Sequence, residues 1–285
     1  MNILLCWEKY EENSWTPDLA QALRSAGDSV SEVHDLDGLR RLSLETFDIC
    51  LPRFRVGAAN MNSLDEALVR ARIPMLNSRE TRVACENKAV AHLAFDEAGV
   101  RQPRSFVVSR EGVADRRLSW DGEALVKPLH GCRGEGIEIW PSLGEALERA
   151  STRREDVLVQ EMIWPARSWR LIVGRVSGII DPYFRRPPAS HNRVLSISTG
   201  SEIAREKPPT DVERVALEML AAVDGDLLAV DVLEQDGTAF ALEINHNFDA
   251  HGGTEAAVDA FRREIAGVAL STMAVVVEPD DVSQG

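Results

Sequence analysis

Short apolar runs alternate with helical spacings over the first 76 residues. Ile3 to Trp7 is one such run, and a polar stretch then leads to Trp15. Thr16 can cap a helix, Pro17 suits its first position, and Leu19, Ala20 and Leu23 share one face before Gly27. Val30 to Val33 and Phe47 to Leu51 predict two further strands. Asn60 to Arg72 predicts a helix and Ile73 to Leu76 another strand. Strands that alternate with helices in this way predict an α/β unit built on a parallel sheet. No GxGxxG follows the first strand, so the unit is not expected to hold a dinucleotide.

The pattern then changes. Ser78 opens a helix that Gly99 would close, and residues 103–110 and 123–129 read as strands. The glycine-rich HGCRGEG (130–136) runs into a further alternating segment. Ser142 and Glu145 form a capping box for a helix to Ala150, and Val157 to Glu161 is a strand. Next come WRLIVG (169–174), a proline-rich loop with the basic pair Arg185 and Arg186, and a helix from Asp211 to Val223 capped by Thr210 with Glu213. A last helix starts near Glu255 and should end before Gly267. The expected division is an α/β domain with its connecting helix (1–99), a small central α+β unit (100–163), a C-terminal unit (164–270) and a tail (271–285).

Composition narrows the field. In 285 residues, 44% hydrophobic and 27% charged positions supply enough apolar material for a sizeable core. The formal net charge of -14 argues against a nucleic-acid partner, whose phosphates demand basic surplus, while leaving room for a local basic cleft. Four scattered cysteines without a CxxC pair suggest free thiols in a reducing compartment. Acidic residues follow the N-terminal apolar run too soon for a signal peptide or membrane span, so a cytoplasmic protein without a membrane partner is expected. A homodimer is compatible with the usual habit of soluble enzymes.

The most informative stretch is LLAVDVLEQDGTAFALEINHN (227–247), two alternating segments that read as an antiparallel hairpin. A two-residue turn at Asp236-Gly237 would set Asp231 and Glu243 on opposite faces. A three-residue loop, Gln235 to Gly237, would set Asp231 opposite residue 241 and diagonal to Glu243, with Asn245 on the same face. On that reading Ala229, Ala239 and Ala241 leave room above the acids, and Val232, Phe240, Leu242 and Ile244 face the core. Two carboxylates and an amide oxygen form a set suited to Mg²⁺ held jointly with phosphate. A solvated sheet face gives the same alternation. Lys127, inside an apolar strand, is either an edge residue or a phosphate ligand. The glycines at 131, 134 and 136 can bring backbone N–H groups to phosphate oxygens or simply make a turn. Arg170 and Arg193 are further cations able to face an anion, while Lys88 by itself reads as surface.

In their order, the stretches 77–103, 124–137, 157–163, 169–174, 192–201, 227–234 and 241–247 resemble the ATP-grasp superfamily. The similarity is to its carboxylate–amine ligases, the branch of ribosomal protein S6 glutamyl ligases and lysine-biosynthesis ligases. The resemblance implies an ATP-grasp fold, α/β and α+β, with an N-terminal parallel-sheet domain, a central lid and a C-terminal antiparallel sheet. It implies that Lys88 and Lys127 bind ATP phosphates, Lys127 near the adenine end, and that Gly131, Gly134 and Gly136 belong to a loop closing over the β- and γ-phosphates. Gln160, Glu161, Met162 and Ile163 would read the adenine edge, with Glu161 accepting from its amino group. Arg170 and Arg193 would steady the transferring phosphoryl group, and Asp231, Glu243 and Asn245 would hold Mg²⁺, two ions in relatives, with Mn²⁺ a substitute.

The chain departs from that pattern at Ser168, where relatives carry an acid, and at Leu195, where they carry Asn. It departs again at His246 to Gly253, where a proline and glycine are usual. The implied chemistry joins a small-molecule, peptide or carrier-bound carboxylate to an amine through an acyl phosphate, releasing ADP and phosphate. A small-molecule kinase on the same scaffold and a silent nucleotide-binding scaffold are the competing classes.

Overall fold

The computed structural model describes residues 1–8, 15–56, 61–109, 112–113, 119–131, 135–164, 167–186, 202–248 and 255–276. Gly134, Arg193 and Leu195 lie outside these residues, as does the tail beyond Val276.

In the N-terminal part, β1 (Asn2–Trp7), α1 (Thr16–Ser25), β2 (Ser29–Val33), α2 (Leu36–Leu39), β3 (Ile49–Arg53) and α3 (Asn62–Ala71) follow one another. The strands form a parallel sheet in the order β2-β1-β3. The central strand is apolar throughout because both its faces are covered. Ile3 and Leu5 pack toward α1, while Leu4 and Cys6 pack on the side of Leu39, Leu64 and Leu68. The strand expected at Ile73–Leu76 reduces to a single parallel bridge, Cys50 to Met75. Pro74 removes a donor there and leaves little ladder to extend.

The long helix expected from Ser78 is two helices, α4 (Arg79–Glu86) and α5 (Lys88–Glu97). Asn87 between them is extended, and its side chain accepts the Ala89 N–H, so it caps α5. Lys88 is therefore the first residue of a helix, and its N–H donates to the Leu129 carbonyl at 3.0 Å.

The central unit contains β4 (Ser105–Ser109), β5 (Gly112–Val113), β6 (Ala124–Pro128), β7 (Glu138–Trp140), α6 (Leu143–Ser151) and β8 (Val157–Glu161). Its antiparallel sheet runs β5-β4-β8-β6-β7. Ser142 caps α6 and bonds Glu145, the capping box read in the sequence. Ala146 and Ala150 of α6 pack with Phe106, Val126, Val157 and Val159 on one face, which leaves Lys127, Leu158 and Gln160 on the other.

The C-terminal unit is β9 (Arg167–Gly174), β10 (Gly178–Arg186), β11 (Glu202–Ala204), α7 (Thr210–Ala222), β12 (Leu227–Gln235), β13 (Thr238–Asn245) and α8 (Glu255–Val276). Its antiparallel order is β11-β10-β9-β12-β13. α7 buries Val212, Val215, Ala216, Met219 and Leu220 on one face of this sheet, about 1.5–3 kcal/mol for each larger side chain. The opposite face takes Ala260, Phe261 and Ile265 of α8 together with α1.

Three expectations fail here for local reasons. Thr210 is the first helical residue of α7, with no capping side chain before it. Arg185 and Arg186 belong to β10, not a loop, because Pro182 falls at a bulge in the strand pairing. α8 runs through Gly267, where a Cβ would meet a Val176 methyl at 2.8 Å, so that glycine serves close packing and does not end the helix.

Candidate active site

One rung of the C-terminal sheet gathers the chemistry. Tyr183 on β10 pairs with Arg170 on β9, Arg170 with Asp231 on β12, and Asp231 with Glu243 on β13. Directly opposed residues share a face, so all four side chains project to the same side. Arg185 and Asn245, each two residues further along its strand, follow them.

The way Asp231 and Glu243 come together differs from the expectation. The turn has two residues, Asp236 and Gly237, with φ +50 and +75 and with Gln235 paired to Thr238, as in a type I′ hairpin. That register alone would put the acids on opposite faces. A β-bulge at Leu242 inserts one residue between the pairs Val232–Ala241 and Asp231–Glu243, and brings the carboxylates directly opposite each other. The bulge also reverses the alternation before it. Ala239 and Ala241 lie in the core with Val232 and Ile244, while Phe240 and Leu242 stay partly exposed.

Asp231 is buried and bound by two guanidinium groups, Arg170 at 3.0 Å and Arg185 at 2.6 Å. Burial works against the Arg170 charge, but Asp231, Tyr183 and Glu243 around it hold it protonated more firmly than usual. Arg185 keeps a buried Nε without a partner among the described residues. The sequence signal for Arg185 was its spacing from Tyr183, which the prolines on either side masked.

Across the cleft, Lys88 Nζ lies 3.5 Å from Glu243 and donates to the Gly131 carbonyl at 2.8 Å. Lys127 is buried, donates to Gln160 Oε1 at 2.5 Å, and has its pKa lowered to about 8, burial outweighing the attraction of Glu243. Gly131 and Gly136 both take positive φ, and a Cβ at Gly136 would press on the Pro128 ring at 2.8 Å. Both glycines therefore have conformational reasons to be glycine. Gln160 and Glu161 end β8, and Met162 and Ile163 continue beyond it. Both Glu161 oxygens are engaged by Arg104, at 2.7 and 2.9 Å, so an adenine contact from that carboxylate requires the pair to open.

The donor set suits a hard divalent cation shared with phosphate. Asp231, Glu243 and Asn245 offer only oxygen, and among the described residues no group of three or more His, Cys, Asp and Glu gathers into an all-protein cage. Mg²⁺ is characteristically held by one or two carboxylates plus ligand phosphates. The cations now resting on Asp231 and Glu243 are those that phosphate oxygens would attract.

No family model matches the chain. Its fold is that of ATP-grasp ligases, a parallel N-terminal sheet, a central unit and an antiparallel C-terminal sheet. D-alanine–D-alanine ligase from Bacillus anthracis, solved with ATP, is 14% identical and superimposes with a TM-score of 0.69, covering 96% of this chain and 99% of that one. D-alanyl-alanine synthetase A from Vibrio cholerae is 13% identical, with a TM-score of 0.63 over 95% and 98%. The ATP-grasp ligase PsnB, solved with a minimal precursor, is 15% identical, with a TM-score of 0.66 over 93% and 98%. Among the described residues no helix is long and apolar enough to cross a membrane.

Proposed function

We propose that the protein is an ATP-dependent, ADP-forming ligase that joins a carboxylate to an amine, with an amino acid or peptide as substrate. The observation that carries this reading is the rung Arg170–Asp231–Glu243 facing Lys88 and Lys127 across one cleft. It puts phosphate-binding cations and an oxygen donor set within reach of the same ligand. The likeness in fold to D-alanine–D-alanine ligase and PsnB supports the same class.

In this reading Lys127 and Lys88 bind nucleotide phosphates, and Gly131 to Gly136 close over them to exclude water. Gln160 to Ile163 line the adenine edge. Asp231, Glu243 and Asn245 would hold Mg²⁺, which supplies charge neutralisation at the phosphoryl oxygens when bound. Arg170 and Arg185, released from Asp231 toward the ligand, steady the phosphoryl group as the substrate carboxylate attacks phosphorus and ADP leaves. Arg193 is assigned to the same task. The amine then attacks the activated acyl carbon, a tetrahedral centre forms, and phosphate departs as the amide closes. No side chain has to act as a covalent nucleophile.

The test is ADP release from MgATP with pooled amino acids and short peptides, using hydroxylamine as a general amine and mass spectrometry for products. A hydroxamate formed with ADP supports the ligase and identifies the carboxylate. AMP with pyrophosphate refutes it, and a hydroxylamine-insensitive phosphorylated product replaces it with a kinase.

A further inference from the structure

Behind Lys127 lies a chain of buried polar groups that the reaction described above does not use. His92, on the inward face of α5, is buried, as are Lys127 and Gln160. Gln102 donates its amide N–H to the His92 backbone carbonyl at 2.9 Å, which turns its Oε1 toward His92 Nδ1, a direct hydrogen bond. Ser105 Oγ lies 3.4 Å from the same nitrogen. On the other side of the ring, His92 Nε2 lies 3.4 Å from Gln160 Nε2, and Gln160 Oε1 accepts from Lys127.

The direction of every bond in this chain is forced. A backbone carbonyl can only accept, so Gln102 must present Oε1 to the ring and Nδ1 must carry a proton. Burial lowers the His92 pKa to about 4; the Gln102 bond opposes this, and the two nearby charges, Lys127 and Lys88, lower it further. The ring is therefore neutral, and its Nε2 is a bare acceptor. Gln160 has to donate to it, which turns the Gln160 oxygen to Lys127. A lysine ammonium only donates, so the far end makes the same demand independently.

We infer that His92 is a positioning residue: as the Nδ1–H tautomer it locks the Gln160 amide with its oxygen toward Lys127, and so fixes the ammonium that meets the nucleotide. The inference rests on the assignment of Lys127 to the nucleotide site. Without the Nε2 acceptor, the buried Gln160 NH₂ loses its partner, the amide is held at the Lys127 end alone, and its oxygen is free to swing away from the ammonium.

Two measurements test this. The first uses the unliganded native protein: long-range ¹H–¹⁵N correlation spectra of its histidines between pH 6 and 9. His92 should show the Nδ1–H tautomer throughout, and an Nε2–H tautomer or a cationic ring overturns the proposal. The second is calorimetric affinity for MgATP and its non-hydrolysable analogue. His92→Leu should weaken binding at least tenfold, whereas His92→Gln, whose carboxamide oxygen replaces Nε2 as acceptor, should stay within threefold of the parent. In a Gln160→Leu background, His92→Leu should add less than twofold. Equal losses in His92→Gln and His92→Leu, or additive losses in the double variant, overturn it, and the tautomer alone decides if His92→Leu does not fold. Lys127→Ala separates the two levels. If it binds nucleotide like the parent, the nucleotide assignment fails; if it loses binding while the histidine variants behave alike, the positioning role alone fails.

Discussion

Lys127 carries its charge against the pull of its surroundings. Its pKa is about 8 against an ordinary 10.5, so between these values the unfolded chain holds the proton more tightly than the native one. The stability it contributes is complete above pH 10.5 and is lost as pH falls through about 8. At neutral pH the buried ammonium costs about 3 kcal/mol. Lys127→Met should therefore raise the urea midpoint of the unliganded protein at pH 7 while abolishing MgATP binding in calorimetry. In the parent protein, nucleotide affinity should fall as pH rises through about 8, because the neutral amine no longer attracts phosphate. Glu243 calls for the opposite separation. It stands beside Lys88 on the rung proposed to hold Mg²⁺, so Glu243→Gln should lower kcat at least a hundredfold and change nucleotide affinity by less than tenfold. A kcat within threefold of the parent would remove Glu243 from the metal site.

At the scale of elements, the hairpin of β12 and β13 depends on its register. Deleting Leu242 would remove the bulge yet leave Glu243 opposite Asp231, whereas deleting Ala241 and Leu242 together would set Glu243 opposite Val232 and Asn245 opposite Val230, swinging both toward the core side of the sheet. In the double deletion turnover should vanish, and the unfolding free energy should fall by several kcal/mol as charged groups enter an apolar layer. The sequence announced both strands and both acids, yet it pointed to a three-residue loop where the turn has two residues, and it could not announce the bulge. Alternation runs in step from the turn, and a bulge shifts it by one residue without a marker such as glycine. Asn87 was hidden in a similar way, since eight helix-compatible residues precede it and ten follow it. The capping box at Ser142 and the apolar face of α7 were legible because everything that defines them lies within a few turns of one chain segment. Arg185, His92 and Gln102 were not, because their partners are 46, 68 and 10 residues away and only the assembled sheets bring them together.

At the scale of the molecule, a few buried polar contacts hold the N-terminal sheet to the rest. Asn77 bonds the backbone of both Asp226 and Leu227, and Arg53 sits between the rings of Trp15 and Phe248 while donating to the Phe248 carbonyl. Arg82, fully buried, depends on Asp65 for its charge partner at 2.5 Å and leaves Nε and Nη1 without partners among the described residues. Asp65→Ala would strand that guanidinium and should cost about 3–5 kcal/mol in chemical denaturation, whereas Asp37→Ala, at an exposed pair, should cost less than about 1 kcal/mol.

The cleft itself sets Lys88, Lys127, Arg170 and Arg185 against Asp231 and Glu243, an excess of cations inside a chain whose formal charge is -14. A nucleotide polyanion diffusing toward the molecule is therefore repelled at long range and attracted only after it reaches the opening. Dissolved salt screens the distant repulsion before it reaches the partly buried pairs within. The association rate of MgATP, followed by stopped flow, should consequently rise between 10 and 150 mM salt, about the range over which the screening length contracts from 30 to 8 Å, and the dissociation rate should change little. The molecule would then capture its fuel faster in crowded ionic surroundings than in dilute buffer, the reverse of an enzyme that steers its anion from afar.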